Sequence, residues 1–286
     1  MKKNSLVIVV MILLIIKCFL GCSVPSGEIK NWDSFSPVPF SGYICGFENT
    51  KCLLQLPFFY RSEDSICVDD IEEVSLCGDS VLIECSDVNI LQSKTNEKLG
   101  YSLSTLTFRT NLPISGNYET RRICVNLRDG RVIERPIGCV FFVVTKGAIF
   151  NDSDIYASNF LINQLDYCSM KVTYANHSFE DVEITDVTYL NQMYNSVTIK
   201  KYADWECTSP EEGTWIPAGG KKTFVFSFIP NESFFPNDET KFLYLLPFVK
   251  LSSDTVTGLI QAQSQPLIIQ PPFTEDFINK LLEGSS

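Results

Sequence analysis

Tyr101-Ser-Leu-Ser-Thr-Leu-Thr-Phe108 alternates clearly along its length, and that alternation decides the fold class of this 286-residue chain. Successive side chains of an extended backbone point to opposite faces, so Leu103 faces away from Ser102 and Ser104, and one side is expected in a core while the other stays wet. Working outward, short apolar or alternating runs recur between turn signals from Gly42 to Val144: Cys52 to Phe59, Glu73 to Cys77, Ser80 to Cys85, Arg122 to Leu127 and Arg131 to Val144. Such spacing points to antiparallel sheet. Asn111-Leu-Pro-Ile-Ser-Gly116 and Asp129-Gly130 punctuate the runs, the latter with the left-handed preference that a tight hairpin needs. A two-residue turn at Asp129-Gly130 sets 124 opposite 135, which disfavours a bridge between Cys124 and Cys139.

The first series stops at Thr145-Lys146-Gly147, and a second follows: Cys168 to Tyr174, Val182 to Tyr189, Ser196 to Tyr202, Thr223 to Ile229, Phe242 to Leu251 and Val256 to Ile269. Phe224, Phe226 and Phe228 alternate with Thr223, Val225 and Ser227, so the phenylalanine face is expected in a core. Pro217-Ala-Gly-Gly220 reads as the turn before that strand, and Pro230 stops the ladder after it. Six or seven short strands, twice over, predict an all-β chain of two tandem β-sandwich domains. The second unit resembles the immunoglobulin-like modules common in exported bacterial proteins, and that likeness implies immunoglobulin-like sandwiches without naming a family. The expected division is a signal peptide over 1–21, a Pro-, Ser- and Gly-rich tether over 22–40, a first sandwich over 41–146 and a second over 147–286. A short C-terminal helix closes the second unit: Thr274 caps it, Glu275 and Asp276 suit its positive end, and Phe277/Leu281 and Ile278/Leu282 fall at i,i+4 spacing.

The N-terminus carries the address. Lys2 and Lys3 precede the apolar core Leu6 to Ile16, which is too short to cross a hydrocarbon layer of roughly 30 Å and has the length of a signal-peptide core. Phe19-Leu-Gly21-Cys22 follows. This resembles the lipobox of bacterial lipoproteins, in which the cysteine after a small residue is acylated and becomes the new N-terminus. The resemblance implies lipidation, with chains such as palmitate, at Cys22, and a location on the extracytoplasmic face of the cell membrane. An ordinary secretory signal and an uncleaved anchor are the other readings of the same segment.

Removing 1–21 leaves 20 basic residues against 34 acidic, a formal charge of −14 compared with −11 for the whole chain. Nucleic acid is therefore an unsuitable partner, since phosphate binding needs a basic surface. Hydrophobic residues at 45% exclude a chain disordered throughout. Beyond Cys18 and Cys22, nine cysteines remain, an odd number, so at least one lacks an intrachain partner. No CxxC pair offers a zinc cluster, and buried thiols with one or two bridges are expected.

Few residues suggest catalysis. His177 is the single histidine, and it lies in Ala175-Asn-His-Ser-Phe179, which reads as a turn between strands. Two-histidine metal motifs are thereby excluded, and no GxSxG nucleophile motif accompanies it. Gly219-Gly-Lys-Lys-Thr223 fails as a phosphate loop because Trp215 occupies the required earlier glycine position. Asp152 with Asp154, Asp69-Asp70, and Asp181 with Glu183 offer oxygen to calcium without the grammar of a calcium loop. Asn151, Asn176 and Asn231 stand in sequons. Trp205 and Trp215, bracketing the acidic stretch 206–214, are the possible ligand contacts, with burial at the end of the sandwich as the alternative.

These readings converge on a membrane-anchored extracytoplasmic binding or interaction protein. Its partners would be the membrane, through the N-terminal lipid, and an unknown protein or carbohydrate at the cell surface. No enzyme, cofactor or metal is indicated. The alternatives are a secreted hydrolase using carboxylates that the sequence cannot pair, and a structural envelope spacer.

Overall fold

A computed structural model describes residues 32–96, 100–147, 155–163, 169–188, 194–231, 242–262 and 267–269. The signal segment, Cys22, Asn151, Asp152, Asp154, Cys168 and the C-terminal helix expected from Thr274 lie outside the described residues.

The described residues are almost all β. The first series forms β1 (Ser36–Pro37), β2 (Phe40–Phe47), β3 (Lys51–Arg61), β4 (Ile71–Cys77), β5 (Leu82–Asn96), β6 (Tyr101–Asn111), β7 (Gly116–Leu127) and β8 (Val132–Thr145). The second forms β9 (Ile155–Asn163), β10 (Ser169–Asn176), β11 (Val182–Val187), β12 (Tyr194–Tyr202), β13 (Pro210–Glu211), β14 (Trp215–Ile216), β15 (Lys221–Pro230), β16 (Phe242–Leu246), β17 (Phe248–Ser252), β18 (Thr257–Gln261) and β19 (Leu267–Ile269). The apolar run from Phe242 to Leu251 is split at Pro247, which interrupts the ladder.

Three sheets result. One has ten strands in the order β1-β3-β6-β5-β4-β7-β8-β2-β16-β19, one has five in the order β13-β12-β15-β10-β9, and one has four in the order β14-β11-β17-β18. In the first unit the sheet rolls around a single core, which joins Leu54, Leu56 and Phe58 of β3 to Val140 and Phe142 of β8 and Ile44 of β2. Sandwich layering is reached there by folding one sheet, whereas the second unit packs its five- and four-stranded sheets face to face. Phe224, Phe226 and Phe228 of β15 are buried in that second core, as their alternation predicts, against Val182 and Ile184 of β11 and Val249 and Leu251 of β17.

The two cores share a wall. Ile44 of β2 and Val140, Phe142 and Val144 of β8 face the first core, while Tyr43 and Cys45 belong to the second and Phe141 and Val143 pack against it. Strand β2 runs parallel to β8 on one side and to β16 on the other, so a strand from the second series completes the first sheet. Gly138 makes the start of this pairing possible. Its φ is +94°, and a Cβ there would meet the Phe40 carbonyl oxygen at 2.1 Å.

The structure fills in one particular that the sequence reading left open and differs from it in two. The core face of β6 carries Leu106 and Phe108 and so, by parity, Ser102 (2% exposed) and Ser104 (1%), while Leu103 sits on the half-buried face. Two large apolar side chains outweigh the serines, whose hydroxyls are small enough to bury, and the Ser102 hydroxyl donates to that of Ser62 at 3.2 Å. At Asp129-Gly130 the register pairs Asn126 with Val132 and Cys124 with Glu134, one residue off the two-residue turn. The Gly130 N–H donates to the Leu127 carbonyl at 2.9 Å, and Gly130 sits at φ +86°, which makes a three-residue loop with a glycine bulge. Finally, residues 32–40 of the stretch read as a tether are core: Trp32, Phe35, Val38 and Phe40 are buried. The Arg135 guanidinium holds them down by donating to the carbonyls of Phe35 at 3.0 Å and Asp33 at 2.9 Å.

Candidate functional site

The end of the second unit where β10 turns into β11 gathers the exposed aromatic side chains found among the described residues of that unit. Asn176, the last residue of β10, fixes the turn. Its side-chain amide donates to the carbonyls of Glu180 (2.8 Å) and Ile216 (3.0 Å), and its Oδ1 accepts from the backbone N–H and hydroxyl of Ser178. An asparagine with every polar group engaged and 1% exposure is a structural clamp. Its buried Nδ2 also leaves the sequon at this position without an attachment atom at the surface.

Around the clamp the neighbouring loops are pinned in turn. The Ala218 N–H donates to Asp181 at 2.9 Å, the Thr255 hydroxyl to Glu180 at 2.8 Å, and the Thr214 hydroxyl to Glu183 at 3.0 Å. Hydroxyl bonds from Ser253 and Thr255 hold the Glu180 carboxyl below the usual glutamate range. The Pro217–Gly220 turn precedes strand β15 and not a helix, so Gly219-Gly-Lys-Lys-Thr223 forms no phosphate cradle.

This frame presents Phe179. The side chain sits at the tip of the turn and is as exposed as in an extended peptide, at 101%. Two residues earlier, His177 stacks on Tyr156 of β9, with ring centroids 5.4 Å apart, and Tyr156 is itself exposed. Trp215, at 43% exposure, is paired through β14 with Glu183 at the start of β11 and is therefore at the same end. Sequence reasoning singled out Trp215 but passed over Phe179 and Tyr156. The available signal was Phe179 itself, an aromatic residue inside a five-residue turn where polar residues are the rule.

The other tryptophan points elsewhere. Trp205 is half-buried on the outer face of the five-stranded sheet, with the Lys171 ammonium 4.2 Å above its ring. The stretch between the tryptophans is tied down: Pro210–Glu211 pairs with β12, and Glu211 bridges Lys222 (2.6 Å) and Lys201 (3.4 Å). The Lys222 ammonium, with Lys201 behind it, depresses the Glu211 carboxyl. Trp205 and Trp215 thus do not form one surface.

Among the described residues no group of three or more His, Cys, Asp or Glu side chains is placed to hold a metal ion. Of the carboxylates weighed for calcium, Asp70 accepts from the Trp32 indole at 3.5 Å, and Asp181 and Glu183 accept from the loops described above. Cys45, Cys52 and Cys139 are poor nucleophiles. Burial pushes Cys52 up to about 12, and burial with the neighbouring Glu119 does the same to Cys139. The Cys45 thiol is raised mainly by burial, beside the Thr188 hydroxyl at 3.5 Å. A thiol kept protonated is inert at neutral pH.

No protein-family model and no curated protein matches the chain. Among solved structures, the D00-D0 domain of intimin aligns over 82% of this chain and 99% of its own, at 12% identity and a TM-score of 0.23. A protein of unknown function from Porphyromonas gingivalis W83 aligns over 79% and 94%, at 9% identity and 0.21. The SGBP-B protein of the Bacteroides ovatus mixed-linkage glucan utilization locus, in complex with a mixed-linkage heptasaccharide, aligns over 79% of this chain and 43% of its own, at 9% identity and 0.23. Superposition at this level carries no argument, and the all-β architecture stands on the strand pairings themselves. No helix among the described residues is long and apolar enough to cross a membrane.

Proposed function

We propose that this chain is a membrane-anchored contact protein of the extracytoplasmic face, held by a lipid on Cys22, whose second unit meets a protein or carbohydrate through the aromatic end built on Tyr156, Phe179 and Trp215. One observation carries the reading: Phe179 is wholly exposed on a turn whose backbone is fixed by Asn176. Exposing a phenylalanine completely forgoes about 1.5–3 kcal/mol of burial, and a turn backbone fixed beforehand lowers the entropy lost on contact. Aromatic side chains that are rigid before binding are the usual anchors of protein and sugar recognition. The anchoring half rests on Gly21-Cys22 after a short apolar core. The reading includes no catalysis and no cofactor.

Two measurements in the native host test it. Labelled fatty acid is expected to enter the chain and to be lost in Cys22→Ala but not in Cys18→Ala, and persistence of label in Cys22→Ala refutes the anchor. A photo-crosslinking amino acid at position 179 is expected to give a discrete adduct on intact cells, while the same group at Asp129, on the hairpin turn of the first unit, gives none. Equal adduct at both positions, or none at 179, refutes the contact surface.

A further inference from the structure

We infer that Cys77 and Cys124 are a modification site, a thiol pair that closes to a cross-strand disulfide on the outer face of the ten-stranded sheet. The two Sγ atoms stand 2.6 Å apart, compared with about 2.0 Å for an S–S bond. The other described thiols for which a partner is known face oxygen atoms: Cys45 the Thr188 hydroxyl, Cys85 the Ile83 carbonyl, Cys139 the Glu119 carboxylate.

The register explains how the pair meets. On β4 and β7, Ser75 lies opposite Cys124 and Cys77 opposite Arg122, so the two cysteines are diagonal neighbours on one face. Diagonal Cα atoms in a flat pair are about 7–8 Å apart, too far for a bridge, and twist must bring one diagonal in. A bulge at Thr120–Arg122, where β7 meets β8, steepens the twist beside this corner. The side chains around the pair are consistent with a closed site. Ser75 is buried with its hydroxyl 3.8 Å from the Cys77 sulfur, and Arg122 pairs with Glu134, the residue opposite Cys124, across the same face.

The chemistry balances with one disulfide donor. Cys124, the more exposed of the two thiols, attacks the disulfide as its thiolate and forms a mixed disulfide, releasing one donor thiol. Cys77 then attacks the Cys124 sulfur, and the second donor thiol leaves. Two electrons pass to the donor, and the two cysteine protons end on its thiols. Closure in the cell rests on the export reading, because the cytoplasm keeps such pairs reduced.

The test treats the purified, reduced full-length chain with oxidised glutathione, alkylates remaining thiols, and digests at Lys, Arg and Glu. Cleavage at Glu73, Glu84, Arg122 and Arg128 leaves Cys77 as the sole cysteine of 74–84 and Cys124 as the sole cysteine of 123–128. The expected result is a linked pair of these two peptides, lost in Cys77→Ser and in Cys124→Ser and retained in Cys85→Ser. Alkylated Cys77 and Cys124 after oxidation, or 123–128 linked to any other peptide, overturns the proposal. The same mapping on protein taken from cells under acid quench separates the two readings. A pair that closes with glutathione but is alkylated in cells supports the site and counts against export.

Discussion

The first unit buries its apolar face by rolling one sheet, whereas the second packs two sheets against each other and against the β2–β8–β16 wall, and the surfaces they leave differ accordingly. Among the described residues, the exposed large hydrophobics of the first unit are aliphatic and scattered: Leu82, Leu91, Ile114 and Val132. Single aliphatic side chains at a surface are ordinary. Between them run ion pairs, Arg122 with Glu134, Arg131 with Asp129, and Asp87 between Lys51 and Arg109. Among the described residues of the second unit the exposed set is Tyr156, Phe179 and Trp215 with Ile229, and the three aromatics belong to one end. A rolled sheet with a charged outer face makes a support, while a sandwich whose end loops are tied by buried polar side chains makes a presenter.

Severing the two units tests the comparison most drastically. A fragment of 147–286 lacks Tyr43, Cys45, Phe141 and Val143 beside its core and leaves β16 without β2. It is expected to show no cooperative unfolding in chemical denaturation, and a normal transition would make the second unit independent of the wall. Next in size, Trp32→Ala should cost about 3–5 kcal/mol of folding stability, because the indole is fully buried in the first core. A loss under about 1 kcal/mol would return residues 32–40 to the role of a tether, since surface substitutions have effects of that order.

The presenter itself is sharpened by a pair of substitutions. Asn176→Ala strips the carbonyls of Glu180 and Ile216 of a buried donor and should cost about 1–3 kcal/mol. Phe179→Ala should change stability by less than about 0.5 kcal/mol while abolishing contact-dependent crosslinking from neighbouring positions. If the two substitutions destabilise equally, Phe179 is packed and not presented.

How much of this was legible in the sequence follows from what alternation can and cannot say. Phe224, Phe226 and Phe228 were assigned to a core because three large apolar side chains share one parity. Strand β6 was assigned correctly as a strand, but its face depended on whether Leu103 or the Leu106–Phe108 pair decides, and burial of Ser102 and Ser104 cannot be seen in a pattern. Trp32, Phe35 and Phe40 are separated by Pro and Ser, so the segment reads as a linker until Arg135 is found holding it against β8. The parallel strands β2 and β16 pair residues about 200 positions apart in the chain, such as Phe40 and Phe242, and no local signal announces that pairing. At the site, Trp215 was legible as a large flat side chain near acids, whereas its separation from Trp205 depends on which sheet each joins.

The smallest expected effect is a titration. The Glu180 carboxyl is depressed by its bonds from Ser253 and Thr255, so its contribution to the turn is present above the unfolded value of about 4.3 and is lost as pH falls through the lower, folded value. Amide protection over 176–181 should hold down to about pH 4.3 and decline below it, a step that Glu180→Gln removes. Protection that is flat through this range in the native chain would remove Glu180 from the clamp.

Hydroxyl-radical footprinting of the chain on intact cells, compared with the purified chain, tests the central claim most directly. The account predicts that Tyr156, Phe179 and Trp215 react freely in the purified chain and are protected on cells, while Leu82, Ile114 and Val132 of the first unit react alike in both. Equal reactivity of Phe179 in the two states, or protection confined to the aliphatic side chains of the first unit, would contradict it.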